Sequence, residues 1–157
     1  MPTEIERKFV IETIPSELKA EKGIEIRQSY IAIEPMGKEV RLRQSGEKYF
    51  LTVKSSGALV RSEYEISLSQ VQYESLLPSA CSGVICKTRY WALGNGKEIS
   101  VDIFHEQLAG LVIAEVEFSS IEDSVEFEPP SWFGREVTDD PSYKNKYLAQ
   151  DGIPTLD

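Results

Sequence analysis

The sequence predicts a mainly β (α+β) fold: an eight-stranded antiparallel β-barrel that forms a charged tunnel, with a few peripheral helices. Three observations support it. Eight short runs alternate between charged and apolar residues, the connections between them are short and rich in Gly, Ser and Asn, and few segments have a helical pattern. Few helices leave too little surface to cover a broad apolar sheet face, so closing the sheet into a barrel is the economical solution.

The eight predicted strands follow one another along most of the chain. They comprise residues 3–11, 25–33, 38–44, 48–54, 59–67, 84–93, 98–106 and 111–118. Three of the connections, at 46–48, 55–57 and 94–96, have the composition of hairpin turns. Hairpins join antiparallel strands, so we expect an antiparallel sheet.

The predicted helices are few and short. Ser69 begins one that runs to residue 77, a second follows Ser119 and ends near residue 127, and a third covers 141–149 with Pro141 in its first turn. A short turn is expected at 15–19. Because no fixed-period repeat or low-complexity linker interrupts the sequence, residues 1–157 are predicted to form a single domain.

Composition excludes several classes of partner. The 157 residues include 17 Lys and Arg against 26 Asp and Glu, which gives a net charge of −9. Such an acidic chain is a poor candidate for non-specific binding to nucleic acid or to an anionic membrane. The first residues are charged and the longest uncharged stretch is too short to span a bilayer, so we expect a soluble, cytoplasmic protein with Cys81 and Cys86 as free thiols.

Alternation places charged residues together on one face of most strands. Residues i, i+2 and i+4 of a strand share a face, so Glu4, Glu6 and Lys8 point the same way, and the rule recurs in the later strands. The resulting face carries seven acids and seven bases: Glu4, Glu6, Glu63, Glu65, Asp102, Glu115, Glu117, Lys8, Arg41, Arg43, Lys54, Arg61, Lys87 and Arg89.

Two interpretations of this face are open. Strand by strand, the ordinary explanation is a one-sided sheet that shows its charges to water. Taken together, the strands favour a closed barrel with the charges inside, which must then hold water and ions. The first interpretation places the charges in bulk water, whereas the second places them around a polar interior.

The pairing of like charges indicates what such an interior would bind. Two carboxylates about 7 Å apart on one strand face repel each other in a partly desolvated interior, and a divalent cation relieves the repulsion. Carboxylate oxygens suit Mg²⁺ or Mn²⁺. The Arg-x-Arg and Lys-x-Arg pairs are suited to phosphate oxygens. Acids for a metal beside bases for phosphate are typical of phosphoryl transfer.

The same residues resemble a known family. The segment EIERK at 4–8 is similar to the ExExK signature of the triphosphate tunnel metalloenzymes, also called the CYTH superfamily. The resemblance covers nearly the whole chain and is strongest to the short bacterial members that hydrolyse inorganic tripolyphosphate. It continues through VRLR at 40–43, LTVKS at 51–55, RSEYE at 61–65, KTRY at 87–90, AEVEF at 114–118, WFGREVT at 132–138 and YKNK at 143–146.

The resemblance implies a division of roles inside an eight-stranded tunnel. The residues that would hold the triphosphate are Lys8, Arg41, Arg43, Lys54, Lys87 and Arg89. Those that would serve the metal, Mg²⁺ or alternatively Mn²⁺, are Glu4, Glu6, Glu63, Glu65, Asp102, Glu115 and Glu117. The strongest metal candidates are Glu4, Glu6, Glu115 and Glu117; Asp102 and Glu63 could instead be ion-pair partners, and Arg61 could brace the acids.

The implied activity is metal-dependent hydrolysis of a small-molecule triphosphate to pyrophosphate and phosphate. Tyr30 beside Lys54 corresponds to a proposed catalytic pair of the family, although Tyr30 could also be an ordinary strand aromatic. The resemblance also allows a homodimer. Alternatives are thiamine triphosphatase or class IV adenylyl cyclase activity, a non-catalytic polyphosphate-binding module, and a structural barrel whose charges only pair with each other.

The C-terminal region is predicted to be peripheral. A lysine of the helix at 141–149 could reach a tunnel mouth, but the sequence favours a surface helix with solvated lysines. Trp132 and Phe133 are expected to be packing anchors. No base-stacking platform is apparent from the sequence, which favours inorganic triphosphate over nucleotides.

Overall fold

The computed structural model describes residues 3–19, 22–35, 37–57 and 59–155 and confirms the predicted fold class. Eight antiparallel strands close into a barrel in the order β1-β5-β4-β3-β2-β6-β7-β8. The strands are β1 Thr3–Val10, β2 Ile24–Ile33, β3 Glu39–Ser45, β4 Lys48–Lys54, β5 Val60–Leu68, β6 Ile85–Gly94, β7 Lys97–Phe104 and β8 Val112–Glu117.

The helices are short and peripheral. They are α1 Ser16–Lys19, α2 Gln70–Leu76, α3 Ile121–Glu126 and α4 Asn145–Asp151, with 3₁₀ turns at Leu77–Ser79, Glu106–Leu108 and Pro141–Tyr143. The predicted helix at 141–149 is split in two, because Lys144 has an extended backbone (φ −67°, ψ 139°) between the 3₁₀ turn and α4.

A tight turn fixes the register between β6 and β7. Asn95 and Gly96 both have positive φ, 51° and 79°, the conformation that suits a two-residue hairpin between right-twisted strands. The turn pairs Gly94 with Lys97 and, further along, Arg89 with Asp102. A slip of one residue would exchange the two faces of a strand, so this turn helps to keep the charged side chains inside the barrel.

The larger apolar core lies outside the barrel wall. Outward-facing residues of β1, β7 and β8 pack beneath α1, α3 and the chain that follows α3. The buried members of this cluster are Phe9, Ile11, Leu18, Ile99, Val101, Val112, Ala114, Val116, Phe118 and Phe127. Trp132 and Phe133 pack against it as predicted, and the ring centroids of Phe133 and Phe9 lie 4.7 Å apart. The fold therefore gains its apolar burial without filling the interior.

A second apolar cluster joins one end of the barrel to the C-terminal segment. It consists of Ile85, Phe104, Leu108, Leu111, Ile113, Val137, Tyr143 and Leu148. Because Val137, Tyr143 and Leu148 come from the chain beyond β8, this segment is an integral part of the fold.

Two expectations from composition can be compared with the structure. Cys81 and Cys86 are free thiols, as predicted. Within the parts of the chain that the structure describes, none of the helices combines the length and the apolar character needed to cross a membrane.

We predict that the outer core dominates stability. Phe127→Ala removes a buried ring that lies 5.5 Å from Phe118, so it should lower the free energy of unfolding by about 3–5 kcal/mol. Val125→Ala, on α3 just before Phe127 at a side chain that is 75% exposed, should change the free energy of unfolding by less than about 0.5 kcal/mol. Urea denaturation measures both, and equal losses would contradict this placement of the core.

Candidate active site

The interior of the barrel contains a polar cavity lined almost entirely by ionisable side chains. The residues that line it are Glu4, Glu6, Lys8, Tyr30, Glu39, Arg41, Arg43, Lys54, Arg61, Glu63, Arg89, Glu115, Glu117, Lys144 and Asn145. Most of the residues that alternation placed on one face thus meet in one cavity. The inward-charged barrel is therefore confirmed, and the solvated one-sided sheet is wrong. We call this cavity the tunnel.

Three acids form a compact cluster on one wall of the tunnel. Glu4 and Glu6 come from β1, and Glu117 of β8 lies directly opposite Glu6 in the strand pairing. One carboxylate oxygen from each lies within 4.8 Å of the other two. Oxygen donors at this spacing fit a hard divalent cation, so these three residues could hold one.

The acid cluster is electrostatically strained in the absence of a cation. Burial, together with Glu115 and Glu4, raises the pKa of Glu6 to about 8. Burial, Glu4 and Glu6 raise the pKa of Glu117 to about 7. Glu115 behaves oppositely: burial would raise its pKa, but Lys8 and Arg89 outweigh burial and hold it below the usual range. The acid cluster therefore favours a bound cation, whereas the charge of Glu115 is already compensated by Lys8 and Arg89.

Cationic side chains line the tunnel beside the acids, and several are only partly paired. Lys54 Nζ lies 3.1 Å from Glu4 Oε2 and 3.7 Å from Glu63 Oε2, and Lys8 Nζ lies 3.6 Å from Glu115 Oε1. Arg43 Nε donates a hydrogen bond to Gln28 Oε1 at 3.1 Å. Burial, Arg41 and Arg89 lower the pKa of Arg43 to about 9, which leaves it charged at neutral pH.

Some tunnel donors have no protein partner. Among the described residues, the buried atoms Arg41 Nε, Arg61 Nε and Tyr30 Oη make no hydrogen bond. A buried donor without a partner loses its hydration and gains nothing in return. An anion with several oxygens could accept from these groups together, so the tunnel has the properties of a phosphate-binding site.

Tyr30 and Lys54 line the same tunnel but are not hydrogen-bonded to each other. Tyr30 Oη has no partner, while the ammonium of Lys54 faces Glu4 and Glu63. Burial, together with Glu39, raises the pKa of Tyr30 above its usual range, so the phenol keeps its proton at neutral pH. It can therefore donate a hydrogen bond to an anion but cannot act as a base.

Two predicted site residues, Lys87 and Asp102, do not line the tunnel. Lys87 Nζ lies 2.8 Å from Asp102 Oδ2, both side chains are buried, and neither lines the tunnel. Arg89 donates to both oxygens of Asp102 at 2.7 and 2.8 Å. Burial would raise the pKa of Asp102, but Lys87 and Arg89 hold it below its usual value. Asp102 is thus an ion-pair partner that braces Arg89 and stands apart from the acid cluster.

The acids of β5 differ in their surroundings. Glu63 faces Lys54 in the tunnel, whereas Glu65 is exposed and accepts a hydrogen bond from Thr52 Oγ1 at 3.2 Å. Arg61 pairs with Glu39 at 3.3 Å. Glu39 was not among the residues predicted from the sequence, although its alternation with Arg41 on β3 could have identified it.

The C-terminal lysines are not solvated, so the predicted surface helix with exposed lysines is wrong. Lys146 is buried, and its Nζ donates to the carbonyls of Glu34 at 3.5 Å and Gly37 at 3.1 Å. Lys144 Nζ donates to the carbonyl of Gly57 at 2.7 Å and lines the tunnel with Asn145. The sequence could not show this, because the tunnel mouth that they reach is made by distant loops.

The C-terminal segment crosses one end of the barrel. Lys8 Nζ on β1 donates to the carbonyl of Tyr143 at 3.2 Å, and Lys146 reaches the β2–β3 loop. In the barrel order β1 and β2 are four strands apart out of eight, so they stand on opposite walls. We call this the closed end. The opposite, open end is bordered by Thr3, Glu4, Glu63, Glu65 and Glu117.

Two inorganic triphosphatases are similar to nearly the whole chain. An inorganic triphosphatase from Nitrosomonas europaea is 46% identical over 149 residues, which cover 94% of this chain and 97% of that protein. An inorganic triphosphatase from Acetivibrio thermocellus is 38% identical over 152 residues, covering 96% and 95% of the two chains.

Solved structures share the barrel. The crystal structure of the inorganic triphosphatase NE1496 superposes with a TM-score of 0.70 at 42% identity and covers 99% of each chain. The protein HpAC1 from Hippeastrum, at 17% identity and a TM-score of 0.57 over 78% of this chain and 82% of that one, shares the fold. Residues 2–127, which carry all eight strands and the acid cluster, match the CYTH domain, and the chain belongs to the CYTH domain family.

Proposed function

We propose that this protein is a metal-dependent inorganic triphosphatase, which hydrolyses inorganic tripolyphosphate to pyrophosphate and phosphate inside the tunnel. The observation that carries the proposal is the meeting, in one cavity, of the acid cluster of Glu4, Glu6 and Glu117 with cations whose buried donors lack partners. The relatives described as inorganic triphosphatases, which align with nearly the whole chain, support it.

The metal site is proposed at the acid cluster. Glu4, Glu6 and Glu117 would hold Mg²⁺, or alternatively Mn²⁺, because three close carboxylates and phosphate oxygens make a hard-ligand set. Such an ion would neutralise phosphate charge and lower the pKa of a nearby water. Glu63 and Glu115 would be secondary metal ligands, since each already faces a lysine.

The triphosphate would lie along the cationic side of the tunnel. Six cations that line the tunnel are proposed to hold its oxygens: Lys8, Arg41, Arg43, Lys54, Arg61 and Arg89. Lys87 is proposed to act through Asp102, which fixes the guanidinium plane of Arg89. Bidentate guanidinium contacts would orient the phosphate chain for in-line attack.

The reaction adds a water oxygen to the terminal phosphorus and breaks the bond from that phosphorus to its bridging oxygen, so pyrophosphate leaves. Tyr30 Oη keeps its proton and would donate a hydrogen bond to a phosphate oxygen. Lys54, held between Glu4 and Glu63, would place a positive charge where negative charge develops. The C-terminal segment would limit the entry of water at the closed end.

The acid cluster should be essential for activity. Glu6→Gln keeps the side-chain shape but removes a metal ligand, so phosphate release from tripolyphosphate with Mg²⁺ should fall by at least about 100-fold. Glu47→Gln, at an exposed hairpin turn, should retain activity within about twofold of the unmodified protein. Assays of thiamine triphosphate and ATP alongside tripolyphosphate test the substrate. Mg²⁺-dependent binding without turnover would instead identify a binding module.

Arg41 distinguishes a substrate-binding tunnel from a structural barrel. Arg41→Met removes a buried cation whose Nε has no partner, so kcat/KM should fall by about 100-fold. The free energy of unfolding should change by less than about 1 kcal/mol, because the desolvation cost of the cation disappears with it. Arg27→Met, at an exposed position of β2, is the matched control. Unchanged activity with a loss of about 1–3 kcal/mol in stability would favour the structural barrel.

Metal affinity should depend on pH. Cation binding requires ionised carboxylates, while Glu6 and Glu117 hold protons with pKa values of about 8 and 7. Affinity for Mg²⁺ should therefore rise from pH 6 to 8 and level off above pH 8, with protons released on binding.

The free energy of unfolding of the metal-free protein should have the opposite pH dependence to the Mg²⁺ affinity. Between about pH 4.5 and 7 the folded protein holds protons on Glu6 and Glu117 that the unfolded chain has released, so the free energy of unfolding should fall as pH rises. Above about pH 7 the lowered pKa of Lys87 acts in the opposite direction. The affinity prediction is tested by calorimetry of Mg²⁺ binding in buffers of different ionisation enthalpy, which counts the protons released on binding. An affinity for Mg²⁺ that is constant from pH 6 to 8 would refute the proposed role of Glu6 and Glu117.

A further inference from the structure

The chain beyond α3 completes the barrel wall beside β1. Strand β1 pairs with β5 only over Thr3–Ile5. Further along β1, residues 134–138 hydrogen-bond to the edge that β5 has left, where Val137 N donates to the carbonyl of Lys8 at 2.8 Å. The wall next to the closed end is therefore built in part by the C-terminal segment.

A small cavity lies where this segment leaves β1. Its volume is about 10 Å³, close to the smallest volume that holds one water molecule. We call it the seam cavity. Four tunnel residues border it together with two residues of the C-terminal segment: Glu6, Lys8, Arg61, Lys144, Thr138 and Asp140. The seam cavity thus adjoins the tunnel.

Asp140 is held at the seam cavity by its own segment. Its backbone N donates to the carbonyl of Val137 at 3.1 Å, and its Oδ1 accepts from Ser142 N at 3.1 Å and from Ser142 Oγ at 2.6 Å. Thr138 fixes the same turn to β1, because its Oγ1 accepts from Lys8 N at 3.0 Å. Both side-chain bonds of Asp140 use one oxygen, so the carboxylate can accept a further hydrogen bond.

The carboxylates of the tunnel itself already have other roles. Of the six that line it, three form the acid cluster, and the other three are ion-paired with Lys8, Lys54 or Arg61. Tyr30 keeps its proton and cannot act as a base. Asp140 belongs to neither group of carboxylates, and in the described parts of the chain it forms no ion pair. It is therefore the available proton acceptor beside the tunnel.

The two ends of the tunnel present water differently. At the open end, a cavity of about 220 Å³ bordered by Trp91 and Glu98 adjoins the tunnel, so many water molecules have access there without a fixed position. At the closed end the C-terminal segment contacts Lys8, and the seam cavity has room for about one water molecule. A water molecule that is held in one place is already oriented for reaction.

We propose that the seam cavity holds the attacking water and that Asp140 is its proton acceptor. The proposal rests on the proposed hydrolysis of tripolyphosphate in the tunnel. A terminal phosphate held by Lys8, Arg61 and Lys144 would lie beside the seam cavity, with the rest of the chain extending towards the open end. The water and the leaving group would then lie on opposite sides of the phosphorus, as in-line attack requires.

The proposed step conserves atoms and charge. The water oxygen forms a bond to the terminal phosphorus while one water proton passes to the Asp140 carboxylate. The bond from this phosphorus to the bridging oxygen breaks, and its electron pair leaves with pyrophosphate. Solvent then takes the proton from Asp140. Removal of the acceptor should slow this step without weakening substrate binding.

The test replaces Asp140 with asparagine, which has the same shape and can still accept from Ser142 through its side-chain oxygen. Asp140→Asn should lower kcat for tripolyphosphate with Mg²⁺ by at least about 100-fold and leave KM within about threefold. Asp139→Asn, the same change at the neighbouring exposed acid, should keep kcat within about twofold. Calorimetry with imidotriphosphate, which resists hydrolysis, should show equal affinities for all three proteins.

A structural role for Asp140 predicts a different result. Ser142→Ala removes the hydroxyl that donates to Asp140 but keeps the carboxylate, so kcat should stay within about threefold if Asp140 accepts the proton. Three results would overturn the assignment: an active Asp140→Asn, an equal loss of kcat in Ser142→Ala, or a loss of imidotriphosphate affinity as large as the loss of kcat.

The two proposals fail in different ways. If the unmodified protein hydrolyses tripolyphosphate and Asp140→Asn is equally active, only the water site is lost. If the unmodified protein binds imidotriphosphate but releases no phosphate from tripolyphosphate, the proposed function is contradicted and the role of Asp140 falls with it.

Discussion

The structure depends on the confinement of like charges within one barrel. Burial, together with the nearby carboxylates of β1 and β8, raises the pKa values of Glu6 and Glu117. Lysines and arginines on the other strands compensate for part of this charge, but some of their donors have no partner. One wall thus has an excess of negative charge, and the other has an excess of hydrogen-bond donors. A cation would compensate the first and a polyanion would accept from the second.

Such an interior is tolerable because apolar burial occurs elsewhere. The cluster around Phe9 and Phe127 covers the outside of the barrel, and the cluster around Tyr143 fills its closed end. The interior can then remain polar without the loss of a hydrophobic core. Substitutions in the tunnel and in the outer core are therefore expected to act mainly on different properties, the first on ligand binding and the second on stability.

Buried ion pairs divide the charged residues into two groups. Asp102 lies against Lys87 and Arg89 and holds Arg89 in place. Arg41 and Arg61, by contrast, contact Thr52 and Glu39 but keep an Nε without a hydrogen-bond partner. A buried charge that is held by a partner fixes the position of its neighbours, whereas a buried donor without a partner is available to bind a ligand. Position on the inner face alone does not distinguish these two cases.

The sequence by itself determined the strands and the set of charged residues that share one face, because side chains alternate with a period of two and hairpin turns fix the register. The structure decided that this face points into the barrel. The family resemblance supplied the expected roles. Tertiary structure alone decided that Lys87 and Asp102 do not line the tunnel, that Lys144 and Lys146 cross the closed end, and that Trp91 borders the open end. Alternation reports which face a residue occupies; contacts between distant strands and loops depend on how the barrel closes, which no local pattern encodes.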